Sequence, residues 1–173
     1  MDEVILVDAN DNPIGTAEKM HAHEHALLHR AFSVFIVDGR SMLLQQRALD
    51  KYHCGGLWTN ACCSHQRKDE ILSDAIHRRL QEELGIDCEV RPLFQFTYRT
   101  DFDNGLTEHE LDHVYLGEYA GEVKPDAREI EQIQWIGLDE LCARVNEHPE
   151  AFTYWFKQAL PGVMGAIRNA AAQ

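Results

Sequence analysis

Apolar residues along this chain fall mostly in short runs bounded by turn-forming residues. Val4–Val7 and Ile14–Glu18 flank Asp8-Ala9-Asn10-Asp11-Asn12-Pro13, which predicts a hairpin. Ala31–Val37 and Met42–Gln46 flank Asp38-Gly39-Arg40. An Asp-Gly pair between apolar runs is a strong hairpin signal, because tight hairpin turns need positive φ at their centre. Cys88–Arg99 and Thr107–Tyr119 flank Asp103-Asn104-Gly105, a third hairpin, and Ile130–Ile136 reads as a further strand. The spacing changes between these strands. Leu72, Ala75, Ile76, Leu80 and Leu84 recur every three or four residues, which predicts a helix over Asp69–Leu84 stopped by Gly85. Leu138–Asn146 and Glu150–Leu160 are predicted helical, the second ending at Pro161, with the Ala-rich end as another helix. Strands, a helix, strands and then helices imply an α+β fold, a mixed sheet flanked by helices, rather than a βαβ repeat. No repeat, low-complexity tract or Pro/Gly/Ser linker interrupts the chain, so residues 1–173 are expected to form a single domain.

Charge narrows the function classes. Lys and Arg number 16 against 29 Asp and Glu, a formal net charge of -13. Nucleic-acid binding needs a clustered basic face, and anionic lipid attracts polybasic segments, so neither partner is expected. A small anionic substrate remains compatible, since a few local cations or bound metal ions can invert the field inside a pocket. No apolar run approaches the roughly 20 residues of a membrane span. The acidic start MDEVILVDAN does not resemble a secretory signal. The five cysteines, an odd count, are then expected as reduced thiols in the cytoplasm.

Four constellations carry candidate chemistry. His21, His23, His25 and His29 crowd KMHAHEHALLHRAF; neutral imidazole is a common metal ligand, and a solvated polar loop fits the same run. Cys62 and Cys63 stand together in TNACCSH. Neighbouring Cα atoms lie only about 3.8 Å apart, too close for an easy disulfide, so these are either small buried apolar residues or include a reactive thiol. From Ser64 to Ile86 the chain follows the frame of the Nudix box, matching at Glu70, Arg78, Leu80, Glu82, Glu83, Gly85 and Ile86. It departs at Ser64, where a glycine belongs, and at Arg79, which replaces a glutamate that binds metal. The same spacing sets Arg78 against Glu82 and Arg79 against Glu83 as i,i+4 ion pairs on a helix surface. Finally, Glu108 and Glu110 lie two apart on a strand and share a face, suiting either metal binding or acid–base work, or else a solvated edge strand that Asp112 continues.

In order and spacing, LLHRAF, TNACCSH, RRLQEELG and TEHELDHV together resemble the metal-dependent, flavin-independent isopentenyl diphosphate isomerases of the Nudix-like superfamily. The resemblance runs from about GTAEK to AFTYWF. It implies isomerisation of isopentenyl and dimethylallyl diphosphate in isoprenoid biosynthesis, by a monomer without flavin. It assigns the catalytic cysteine to Cys63 and the catalytic carboxylate to Glu110, with Tyr98 and Trp155 as aromatic walls of the pocket. A tightly bound Zn²⁺ or Mn²⁺ would be held by His23, His29, His65, Glu108 and Glu110, leaving His21 and His25 as bystanders. Glu83 would hold Mg²⁺ together with the substrate diphosphate. Lys19, Arg47, Lys51 and Arg79 match the cations that face that diphosphate. Two stretches depart from the family pattern: His53-Cys54-Gly55-Gly56 and Gln66 stand where proline is common. The chemistry implied is a 1,3 proton shift through a carbocation-like species, which requires a closed apolar site. Glu110 beside Tyr98 is the expected proton donor and Cys63 the acceptor, exchanging roles in the reverse direction, with the Trp155 face stabilising positive charge. A Nudix hydrolase of nucleoside diphosphates, or a non-catalytic metal-binding module, are the alternatives from other classes.

Overall fold

The computed structural model describes residues 2–173. β1 (Glu3–Val7) and β2 (Pro13–Glu18) pair antiparallel. Their turn closes on the Asp8 carboxylate, which accepts from the backbone N–H groups of Asn10 and Asn12 at 2.8 and 3.0 Å. A short helix that the apolar pattern did not announce follows, α1 (Lys19–Glu24), capped by Glu18 accepting from the His21 N–H at 3.0 Å. β3 (His29–Asp38) and β4 (Ser41–Arg47) meet at Gly39, whose φ of 57° is the left-handed conformation a tight turn needs. Two very short strands, β5 (Trp58–Thr59) and β6 (Cys62–Ser64), were not visible as runs.

α2 spans Leu72–Leu84, starting later than predicted because Asp69 takes φ 63° and Glu70 closes a turn onto the Arg67 carbonyl. Gly85 ends it in the left-handed conformation, as its position predicts. β7 (Val90–Asp101), β8 (Thr107–Glu118) and β9 (Ile130–Gly137) complete the strands, and α3 is Leu138–Glu147. The end of the chain corrects the predicted helix over Glu150–Leu160. Pro149–Ala151 form a 3₁₀ turn and Phe152 and Thr153 are extended, because the Thr153 N–H donates to the Trp58 carbonyl at 3.0 Å. α4 (Tyr154–Ala171) then runs straight through Pro161. Phe156, Ala159, Leu160, Val163 and Met164 make one buried face across the proline, and burying those side chains outweighs the roughly 3 kcal/mol that proline costs a helix interior.

The topology places the site. β3 runs parallel to β8 over nine residue pairs, from His29 opposite Glu110 to Val37 opposite Glu118. β4 stays with β3 only at Val37 and Asp38, then leaves to pair with β9, and β6 occupies the vacated edge opposite Phe32, Ser33 and Val34. Alternate residues of β3 therefore face different cores. Phe32, Val34 and Ile36 pack with Ala75, Ile76 and Leu80 of α2, whereas Phe35 and Val37 pack with Phe156 and Leu160 of α4. The face that carries Phe35 also carries Ser33 and His29.

Candidate active site

Pairing in register fixes which side chains share that face. β8 lies between β3 and β7, so it is no edge strand, and Glu108, Glu110 and Asp112 alternate inward with exposures of 3%, 7% and 1%. Glu110 stands opposite His29, and Cys63 of β6 stands opposite Ser33, so both emerge on one face of β3 from the strands flanking it.

His23, from α1, and His29 are fully buried against the two glutamates, while His21 and His25 stack on each other at 4.1 Å on the exposed side of α1. His23 Nε2 lies 3.6 Å from Glu108 Oε1, and His29 Nε2 lies 3.3 Å from Glu110 Oε1. His65, just after β6, places Nε2 2.8 Å from the same Glu110 oxygen. His29 donates its Nδ1 proton to the Leu27 carbonyl at 2.9 Å, so its Nε2 turns a lone pair toward a carboxylate. Such an arrangement is favourable only with a cation or a proton in between. Both ring nitrogens of His23, Nε2 of His29 and Oε2 of Glu108 are buried without hydrogen-bond partners, and orphaned donors of this kind are costly unless something fills the gap. Burial and the neighbouring Glu110 charge push the Glu108 carboxyl well above its usual range. Burial also opposes ionisation of Glu110, yet the imidazoles of His29 and His65 beside it outweigh burial and hold that carboxyl well below its usual range. Among the described residues, His23, His29, Glu108 and Glu110 form a buried group whose ligand atoms converge within 4.8 Å, a donor set that fits one divalent ion.

Adjacency on a strand separates the two cysteines. Cys62 packs into the α2 core, and Cys63 turns to the site. Cys63 donates to Asn60 Oδ1 at 3.0 Å and accepts from the Trp155 indole N–H at 3.1 Å. Burial, aided by Asp112, pushes its thiol up to about 12, despite opposing hydrogen bonds from Ser33 and Trp155. Cys63 is thus a neutral thiol at rest rather than a thiolate. Across the site, the Tyr98 hydroxyl donates to Glu110 Oε2 at 2.7 Å.

Cys63, His65, Tyr98, Glu108, Glu110 and Trp155 line one cavity of about 170 Å³. Lys19, Arg47, Lys51 and Arg79 line it too, so the acidic chain gathers its cations here. The Arg47 guanidinium lies 5.6 Å from the Trp155 ring centroid, and Lys19 Nζ lies 5.4 Å from that of Tyr52. Lys51 is ion-paired to Glu129. The Nudix-box helix α2 contributes its predicted i,i+4 pairs, Arg78 with Glu82 at 3.2 Å and Arg79 with Glu83. Arg78 also grips Glu70 with two hydrogen bonds, 2.7 and 2.9 Å, which pins the loop before α2. Glu83 reaches the same cavity, away from the histidine cluster, and Gln45 donates to its second oxygen at 3.2 Å.

Of the residues singled out from the sequence, Lys19, Arg47, Lys51, Cys63, His65, Arg79, Glu83, Tyr98, Glu108, Glu110 and Trp155 line one cavity, while His21, His25 and Cys62 do not. Several others there were not foreseen. Gln45, Ser33 and Asn60 look like ordinary strand and loop residues, and only the fold brings them to Glu83, Asp112 and Cys63. His53 also reaches Glu108, from the loop after β4. Its lone position in a polar stretch gave no sign of this. Gln66, where proline was expected, fits by donating to the Glu70 carbonyl and accepting from Arg30.

The NUDIX domain family matches residues 27–156. The isopentenyl-diphosphate Delta-isomerase of Burkholderia multivorans is 51% identical over 156 residues, covering 90% of this chain and 89% of the relative. The enzyme of that name from Pectobacterium atrosepticum is 49% identical, covering 90% and 87%. This chain belongs to the isopentenyl-diphosphate Delta-isomerase family. Its NUDIX architecture is shared more widely. A solved structure from Deinococcus radiodurans superposes with a TM-score of 0.69 at 18% identity, covering 84% of this chain and 90% of that one. The MutT NUDIX hydrolase of Burkholderia pseudomallei gives 0.64 at 27% identity, covering 79% and 98%. Isomerase-family members and NUDIX hydrolases therefore share this scaffold, and the residues of the cavity must separate them. Among the described residues, no helix is long and apolar enough to cross a membrane.

Proposed function

We propose that this protein interconverts isopentenyl diphosphate and dimethylallyl diphosphate by a 1,3 proton transfer, with Cys63 and Glu110 as the proton-handling pair. The observation that carries this reading is the placement of a half-buried thiol and a buried carboxylate on one face of β3, in a cavity that Lys19, Arg47, Lys51 and Arg79 also line. The terminal alkene carbon must gain a proton, and the carbon on the far side of the branch must lose one. One of the pair gives the proton and the other accepts it, and the two exchange roles in the reverse direction; an ion bound to Glu110 would set which of them starts protonated.

Tyr98 fixes the Glu110 carboxyl by its hydrogen bond, and the Trp155 indole, whose N–H meets Cys63 and whose ring lines the cavity, would stabilise positive charge developing on the branched carbon. A divalent ion held by His23, His29, His65, Glu108 and Glu110 would neutralise the paired carboxylates and set the basicity of Glu110; Zn²⁺ or Mn²⁺ suits the mixed nitrogen and oxygen donors. Lys19, Arg47, Lys51 and Arg79 would bind the diphosphate, and Glu83 would hold a Mg²⁺ that neutralises its charge. Binding energy from the diphosphate positions the unreactive alkene. Residues 1–173 act as one domain, and the five free cysteines suit a reducing cytoplasm.

The test is incubation with isopentenyl diphosphate and Mg²⁺ in D₂O, followed by NMR, beside Cys63→Ser and Glu110→Gln. Dimethylallyl diphosphate carrying solvent deuterium, lost in both variants, is the expected result. Neither product nor exchange from folded, metal-loaded protein, with phosphate released from nucleoside diphosphates instead, would overturn the isomerase in favour of a hydrolase.

A further inference from the structure

The buried histidine cluster contains one member beyond those the family resemblance assigns. His53 lies in the loop between β4 and β5, 7% exposed. Its ring stacks on Phe102 at 4.7 Å with planes 8° apart, and meets Trp155 edge-on at 6.1 Å. Its Nε2 lies 2.5 Å from Glu108 Oε1. The contact is bent, so neither ring nitrogen of His53 makes a regular hydrogen bond, and both are buried.

We propose that His53 is a positioning residue of the metal site: its Nε2–H holds Oε1 of Glu108 and leaves Oε2 free for the ion. This rests on the metal-site reading above. Oε2 of Glu108 is the atom left without a partner, and it lies 4.0 Å from His29 Nε2, toward the other donors. A direct bond from His53 to the same ion fits less well. His53 is not among His23, His29, Glu108 and Glu110, whose ligand atoms all lie within 4.8 Å of one another. A shared proton suits it, and the imidazole would carry that proton once an ion holds Oε2 as a carboxylate.

The loop is built to present this ring. Cys54, immediately after it, takes φ 53°, uncommon for a residue with a side chain. A Cβ on Gly55 would stand 2.5 Å from the Leu49 carbonyl oxygen, so only glycine fits there. Asn104, in the β7–β8 turn, donates to the Tyr52 carbonyl at 2.7 Å and ties the loop to the strand that carries Glu108. Partners that orient metal ligands typically change affinity by about 10- to 100-fold when removed.

The test is a Mn²⁺ titration of the whole protein followed by electron paramagnetic resonance, with thermal melting of each metal-free protein. His53→Phe keeps the stack on Phe102 and removes the donor; His53→Gln restores an amide N–H at the place of Nε2. Wild type is expected to bind one Mn²⁺, His53→Phe to bind it at least tenfold more weakly, and His53→Gln to recover most of that loss. His53→Leu gives the same comparison should the Phe variant fold poorly. Unchanged affinity in His53→Phe or His53→Leu overturns the inference, as does a His53→Gln protein no better than they are. Wild type that binds no Mn²⁺ overturns instead the metal-site reading beneath it.

Discussion

Tyr98 and Glu110 stand opposite each other on β7 and β8, and the phenol donates to Oε2 of the carboxylate at 2.7 Å while Oε1 faces His65 and His29. The carboxyl is thus gripped from both sides, one oxygen toward the metal-type donors and the other toward a hydroxyl. Removing the hydroxyl leaves the carboxylate free to rotate without touching the diphosphate cations. Tyr98→Phe is expected to lower kcat roughly 100-fold with little change in KM, the size of a lost proton-transfer partner. Steady-state conversion of isopentenyl diphosphate measures it, and a rise in KM with kcat intact would remove Tyr98 from the proton-handling wall.

Cys63 offers a test that needs no substrate. A thiol pushed up to about 12 reacts as thiolate only through its rare ionised form. Alkylation of Cys63 by iodoacetamide should be orders of magnitude slower at pH 7.5 than that of an unperturbed cysteine, and should rise about tenfold per pH unit up to pH 10. Ser33→Ala removes a hydrogen bond that favours the thiolate, so it should slow the reaction further. Peptide-resolved mass spectrometry separates Cys63 from Cys62, which is buried in the α2 core and should not react. Fast alkylation of Cys63 at pH 7.5 would show that an ionised thiol, not a neutral one, faces the substrate.

The two outcomes for neighbouring cysteines show what a sequence can and cannot specify. Strand alternation sends Cys62 and Cys63 to opposite faces, but β6 is only three residues long and presents no alternating pattern to read. The hairpins were legible because Asp-Gly and Asn-Gly sit between apolar runs, and α2 because five apolar residues keep helical spacing before a glycine. α4 was cut short at Pro161 because propensity was weighed without knowing that a long apolar face lay on both sides of it. Motif residues found their cavity because their spacing follows a known family. His53 and Asn60 make no pattern along the chain, and become visible only when a loop folds back on β8 and β6.

Arg47 links the aromatic wall to the proposed diphosphate site. Its guanidinium lies over the Trp155 ring, 5.6 Å from the centroid, and one nitrogen donates to the His53 carbonyl at 3.4 Å. A hydrogen bond to a charged group is worth about 1.5–3 kcal/mol. Arg47→Met is therefore expected to raise KM for isopentenyl diphosphate by about 10- to 100-fold. Arg47→Lys should restore only part of this, since an ammonium neither stacks flat nor offers a planar pair of donors. Full recovery by lysine would reduce the role of Arg47 to simple charge.

Acid should unfold the metal-free protein early, and the sign follows from the histidines. Burial depresses His23 to about 3 and His65 to about 4, so both are neutral in the fold at pH 7. In the unfolded chain they take up protons near pH 6.5. Their folded values lie below their unfolded ones, so the stability they confer is present above about pH 6.5 and is lost as pH falls toward 4 and 3. Each group contributes a slope of up to about 1.4 kcal/mol per pH unit through that window. A bound ion competes with those protons. At about 100 times its Kd it adds about 2.7 kcal/mol, worth roughly 5–10 °C in Tm for a chain of this size. Melting curves between pH 8 and 4, with Mn²⁺ or with chelator, should show a metal-dependent rise that holds from pH 7.5 to about 5 and shrinks only as pH falls toward 4. A rise already halved at pH 6 would show histidines that take up protons near their ordinary value and would overturn their depression by burial.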